Sequence, residues 1–219
     1  MNAWSITRGR IAAGAALWFL SASVVGPTLA APASHFEYAV IRNGDQIGSH
    51  VLDFNRAGDS IEVRIATNIQ VKVAFFTVYR FEHNGVESWR KDRLVALKSR
   101  TNDNGTAHAL SVAEEAGKLR INGDGAVAFA DPAIIPGSLW NPAVVRQSII
   151  LNSLDGSQMK VVIKDMGEER VHARESDVSA RHYRISGQLG RDVWFDRNGT
   201  LVRMHLKGQD DSDIYYELK

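Results

Sequence analysis

The chain contains no cysteine among its 219 residues. This excludes disulfides, thiolate metal sites, a cysteine nucleophile and the acceptor cysteine of a bacterial lipoprotein. Proline is scarce, with five residues. No fixed-period repeat, low-complexity tract or internal linker breaks the chain. Neither charge sign dominates, with 26 Lys and Arg against 25 Asp and Glu. That balance argues against a nucleic-acid binder, which would carry a basic patch, and against polybasic attachment to a membrane surface. Glycine-rich phosphate loops, a Gly-x-Ser-x-Gly turn and a His-Glu-x-x-His motif are also missing. The seven histidines show no metal-ligand spacing, so neither a cofactor nor a metal site is expected. Asn102-Asp103-Asn104-Gly105 has the look of a calcium loop but lacks its downstream acid, and reads as a turn.

One long apolar run is present, at the start. Arg8 and Arg10 precede an uncharged stretch from Ile11 to Gly26, and Pro27-Thr28-Leu29-Ala30 supplies small residues for cleavage. This is the three-part pattern of a secretory signal peptide. The apolar core is shorter than the roughly 20 residues of a spanning helix. The expectation is therefore a signal peptide over 1–30, cleaved near Ala30, and no stable membrane span afterwards. Export without disulfides fits a bacterial periplasm.

The rest, 31–219, reads as a single all-β domain. From Ile61 the chain alternates strictly, with Ile61, Val63, Ile65, Thr67, Ile69, Val71 and Val73 on one side and mostly polar residues on the other. Side chains of a strand point to opposite faces with period two, so this is a long strand with one apolar face. Similar segments recur at intervals of eight to twelve residues between turn signals such as Asn43-Gly44, Asn104-Gly105, Ala116-Gly117 and Asn198-Gly199. About a dozen strands in one domain form an antiparallel curved sheet that closes into a barrel, half-barrel or two-layer sandwich. Ala126 to Gly137 reads as an irregular crossover between two β halves. Asn141-Pro142, a favoured N-cap followed by a favoured first residue, predicts one short helix over Ala143 to Ser148.

Two places carry candidate chemistry. Asn84-Gly85 is the strongest local signal for a two-residue hairpin. A hairpin there sets Glu82 opposite Glu87 and Arg80 opposite Trp89, so that Arg80, Glu82, Glu87 and Trp89 share one face. Paired carboxylates are the arrangement in which one acid has a raised pKa beside an ionised neighbour. A plain charge network with Trp89 covering its stems is the alternative. The second place is Ser138-Leu139-Trp140-Asn141, where Trp140 would plug the open end of a curved sheet beside the predicted helix. Trp194 and Phe195, with Trp89, would line the same interior.

The run Val71-Lys72-Val73-Ala74-Phe75-Phe76-Thr77-Val78-Tyr79-Arg80-Phe81-Glu82-His83, with Glu87 and Trp89, resembles a family of bacterial exported proteins. Thr101 to Gly105, Ser138 to Asn141 and Asp192-Val193-Trp194-Phe195-Asp196 extend the match over most of 31–219. That family is known only as a domain of unknown function and is distantly similar to periplasmic half-barrels of lipocalin-like or lipoprotein-carrier-like shape. The resemblance implies export and an all-β fold. It implies no activity, substrate or catalytic residue.

Three functional readings follow. The first is a periplasmic, non-catalytic binding or accessory module holding an apolar or amphipathic small molecule, or a segment of an envelope protein, with Arg80, Glu82, Glu87, Trp89, Trp140 and Asn141 as candidate contacts. The second is a hydrolase or isomerase using Glu82 and Glu87 with Arg80. The third is a purely structural envelope protein.

Overall fold

Alternation of apolar and polar residues governs the molecule from end to end. The computed structural model describes residues 34–219; the proposed signal segment and its cleavage point lie outside the described residues. Eight strands form the first half: β1 (Ser34–Arg42), β2 (Asp45–Ala57), β3 (Ser60–Val73), β4 (Phe76–Arg90), β5 (Arg93–Asp103), β6 (Thr106–Glu115), β7 (Lys118–Gly123) and β8 (Ala126–Ala130). Seven form the second: β9 (Ile135–Pro136), β10 (Ile149–Leu151), β11 (Gln158–Ala173), β12 (Ser176–Gly187), β13 (Arg191–Phe195), β14 (Leu201–Lys207) and β15 (Asp213–Leu218). All fifteen join one sheet in the order β8-β7-β6-β5-β4-β3-β2-β1-β15-β14-β13-β12-β11-β10-β9. Apart from the parallel pair β9–β10, each half is a meander, and the antiparallel pairing of β1 with β15 splices the halves in mid-sheet.

The sheet is open. β8 and β9 are its edges, so no ladder closes the barrel that the sequence offered as one alternative. Both edges are poor templates for further pairing: β8 has five residues, and β9 has two and carries Pro136, which lacks a donor. Curvature nevertheless brings the two ends of the sheet together. The Gln158 side chain donates to the Phe129 carbonyl at 3.1 Å, and Ser99 Oγ donates to the Ser153 carbonyl at 2.6 Å. The segment between β10 and β11 packs across the seam between them.

The concave face holds the core. Leu52, Val63, Leu97, Val112, Leu119 and Ile121, from β2, β3, β5, β6 and β7, are all essentially inaccessible. Burying each such side chain contributes about 1.5–3 kcal/mol. The segment from Asp131 to Gln147 crosses this face between the halves, with Ile134, Leu139 and Val144 buried in it.

Three expectations are corrected. Asn84-Gly85 is no turn: both residues lie inside β4, where Asn84 pairs with Ala66 and Gly85 with Ile65. The turns lie on either side, at Ala74-Phe75, where Ala74 has φ 51°, and at Lys91-Asp92, with φ 49° and 60°. Fourteen pairs between β3 and β4, twelve of them in unbroken register from Ser60 to Val71, outweigh one local dipeptide preference. Gly85 has another use, since a Cβ there would stand 3.1 Å from the imidazole Nε2 of His83. The helix is a 3-10 turn over Pro142–Arg146, too short and too rich in β-branched valine to propagate as an α-helix. Asn141 does cap it, accepting from the Ala143 N–H at 2.9 Å. The crossover is also less irregular than expected, because Ala126–Ala130 forms β8 and Ile135–Pro136 forms β9.

The seam yields a stability prediction. A Cβ on Gly123 would stand 1.7 Å from the Asp155 carbonyl oxygen, whereas one on Gly190 would meet nothing within 4 Å. Gly123→Ala is expected to cost about 1–3 kcal/mol by forcing these backbones apart. Gly190→Ala is expected to leave the melting temperature nearly unchanged. Thermal denaturation of the two variants checks both.

Candidate functional site

The corrected register divides the sequence-derived site. Glu82 and Glu87 lie on one strand, five residues apart, and therefore on opposite faces. Arg80 and Glu82 are partly exposed on the convex side, with Arg80 Nη2 2.5 Å from Glu82 Oε1. Arg80 pairs across the ladder with Gln70, and Trp89 with Ile61 and Leu94. The paired-carboxylate arrangement does not form.

Glu87 points inward and is 0% exposed. It sits between Val63 on β3 and Leu97 on β5, both apolar. Its Oε2 accepts from two indoles, Trp89 Nε1 at 2.9 Å and Trp140 Nε1 at 2.8 Å. The Trp89 and Trp140 rings meet edge-on at 5.5 Å, and Trp140 packs on Phe54 at 5.1 Å. Burial pushes the Glu87 pKa up, with Ser138, Trp140 and Trp89 opposing as hydrogen-bond partners. Oε1 is buried without a partner of good geometry, although Ser138 stands close enough to favour the ionised form. The carboxyl thus fastens the crossover to the sheet. Of the six sequence candidates, Glu87, Trp89 and Trp140 come together, Asn141 serves as a cap beside them, and Arg80 and Glu82 stand apart.

The remaining concave space is a cavity of about 520 Å³. Ile65, Ile69, Phe81, Met204, Leu206 and Ile214 give it apolar walls, and Ser138, Leu139 and Leu154 floor it. Sequence reasoning missed its polar groups. Tyr38, His50, Thr67, His83, Thr101 and His108 are direct cross-strand partners from β1 to β6, forming one row across the inner face. His50 Nδ1 bonds Thr67 Oγ1, and His83 Nδ1 bonds Thr101 Oγ1, each at 2.7 Å. His50 and His83 are 7% and 5% exposed. Burial pulls both imidazole pKa values down to about 4, with His83 adding to the effect on His50. Both are therefore neutral at neutral pH and can offer Nε2 to a ligand. The available signal was a polar residue on an otherwise apolar alternating face, as with Thr67 between Ile65 and Ile69.

Trp194 does not line this interior. It lies on the convex face, stacked on His182 at 4.4 Å. There His182 bridges Glu169 (3.1 Å) and Asp192 (2.7 Å), and His205 bridges Asp192 (3.5 Å) and Asp213 (2.7 Å). Among the described residues no group of three or more His, Asp or Glu side chains has metal-binding geometry.

Two predictions follow. Glu87→Ala leaves two buried indole donors unpaired, each costing roughly 1–3 kcal/mol, so a large drop in melting temperature is expected. Glu82→Ala removes only an exposed pair and is expected to change stability by less than about 1 kcal/mol. The second concerns acid. The histidines titrate at 6.5 when unfolded and at about 4 when folded. Between those values the unfolded chain binds more protons, so their contribution is complete above pH 6.5 and is lost as pH falls towards 4. Glu87 acts with the opposite sign, its raised pKa favouring the fold at low pH and fading as pH rises. Calorimetry from pH 7 to 4 is expected to show a falling melting temperature, and a flatter profile in the His50→Gln/His83→Gln variant.

Comparison with known proteins agrees with this architecture. The family model described as a domain of unknown function, DUF6134, matches residues 38–219. No curated protein matches the chain. Among solved structures, a β-barrel-like protein of domain of unknown function DUF1849 from Brucella abortus superposes with a TM-score of 0.60 at 9% identity. The alignment covers 85% of this chain and 95% of that one. At that identity the likeness concerns the fold alone.

Proposed function

We propose, from the premise that this chain belongs to the DUF6134 family, that it is an exported, periplasmic, non-catalytic binding protein that holds an apolar or amphipathic ligand on the concave face of its sheet. The observation that carries this reading is the cavity of about 520 Å³. Its size lies in the range that encloses a small-molecule ligand, and aliphatic walls with a few polar groups are the usual composition of such sites. Its neutral imidazoles supply hydrogen bonds without the cost of a buried charge.

The pattern over 1–30 supports export. The enzymatic reading would need two acids in one site, and Glu82 and Glu87 lie on opposite faces. The purely structural reading would need a filled interior. In this reading an envelope protein serves as source or acceptor of the ligand.

Native mass spectrometry of the protein isolated from its own envelope is expected to show a bound small molecule. The isolated protein is expected to bind a neutral fluorescent amphiphile such as Nile red. Leu206→Trp, which narrows the cavity, is expected to weaken that binding about tenfold or more while retaining a cooperative melt. Ligand-free protein that binds no amphiphile would overturn the proposal.

A further inference from the structure

The cavity has a chemical polarity of its own. Three basic side chains border it: Arg42, Arg191 and Lys207. Arg42 is ion-paired with Asp210, and Lys207 Nζ lies 2.7 Å from Asp213. Arg191 has no carboxylate partner among the described residues. Its Nη1 reaches only the carbonyl of neighbouring Gly190, at 2.7 Å. Surrounding protein pulls its pKa down, but arginine remains a cation throughout the physiological range. The guanidinium is part-buried at the cavity wall, and its remaining donors are free to meet a ligand there.

Its position is informative. Asp192 pairs with His205, which places Arg191 beside Leu206 at the start of β13. Leu206 pairs with Ile214, and Ile214 with Arg42. Arg191 therefore stands in the row at the end of the cavity bordered by Gly208 to Ser212, opposite the floor made by Ser138, Leu139 and Leu154. Tyr216, two residues along from Ile214, faces the same space. Burial pushes its hydroxyl pKa up to about 12, so it is a neutral donor, and Arg191 is the cation that opposes this rise.

We propose that Arg191, with the Tyr216 hydroxyl facing the same cavity, anchors a monoanionic carboxylate headgroup, so that the ligand is a long-chain carboxylate whose tail runs along Ile65, Ile69 and Phe81 towards the floor. This rests on the cavity being a ligand site. One unpaired cation matches one negative charge. A phosphate monoester, carrying nearly two, would leave the second uncompensated. The planar guanidinium also fits a carboxylate in a two-bond fork. The neutral histidines along the wall add no competing positive charge.

Isothermal titration of the purified protein with laurate, lauryl alcohol and lauryl phosphate tests this with one tail and three headgroups. Laurate is expected to bind about ten- to a hundredfold more tightly than the alcohol, the scale of a charge-assisted hydrogen-bonded pair. Arg191→Gln is expected to abolish that preference by weakening laurate far more than the alcohol, and Arg191→Lys to retain part of it. The comparison in the unmodified protein stands even if a variant fails to fold. Equal binding of acid and alcohol would overturn the anchor and leave the cavity reading intact. Tighter binding of the phosphate would overturn the monoanion assignment. Failure of all three to bind would overturn both readings.

Discussion

An open curved sheet has a concave face to fill and two edges to bring together without a ladder, and most of this molecule answers that constraint. Strand pairing cannot close a sheet whose ends are β8 and β9. Closure falls instead to the crossover joining those ends. It is held by a buried carboxyl that accepts from Trp89 of the sheet and Trp140 of the crossover. A charged or polar group inside an apolar row is destabilising alone, but it gives direction where apolar packing gives little. Glu87 fixes where the crossover lies, and the crossover fixes where the cavity ends.

The cavity is what remains between that floor and the far end of the strands. Because side chains alternate, one row of residues crosses six strands at the same height, and in this row histidines alternate with hydroxyl-bearing residues. The concave face is thus graded along the strand direction. The Glu87 clamp lies at one level, the neutral row of His50, Thr67 and His83 at the next, and Arg191 at the end. This grading, more than any single residue, is what suits the interior to a molecule with an apolar body and a polar end.

The fold class was legible in the sequence because period-two alternation is a local property that survives into the sheet. The strands, most of the turns, the central crossover and the capping role of Asn141 could be read from adjacent residues. The hairpin at Asn84-Gly85 could not be judged in that way. Its local preference is genuine, but β3 and β4 gain more from a long ladder, with turns formed by Ala74 and by Lys91-Asp92 at positive φ. Once that turn moved, Arg80 and Glu82 parted from Glu87 and Trp89, because a change of register changes which face a residue occupies.

The sequence by itself determined a β protein with one wetted and one apolar face to its strands, an apolar run near its start, and no thiol chemistry, since these depend on composition and on neighbours along the chain. Only the tertiary structure decided that Glu87 is a clamp, that histidines from separate strands form one row, and that Arg191 is left without a counter-ion among the described residues. Each of those facts concerns residues on different strands, tens of positions apart in sequence, and cross-strand register is set by the sum of pairings over the whole sheet.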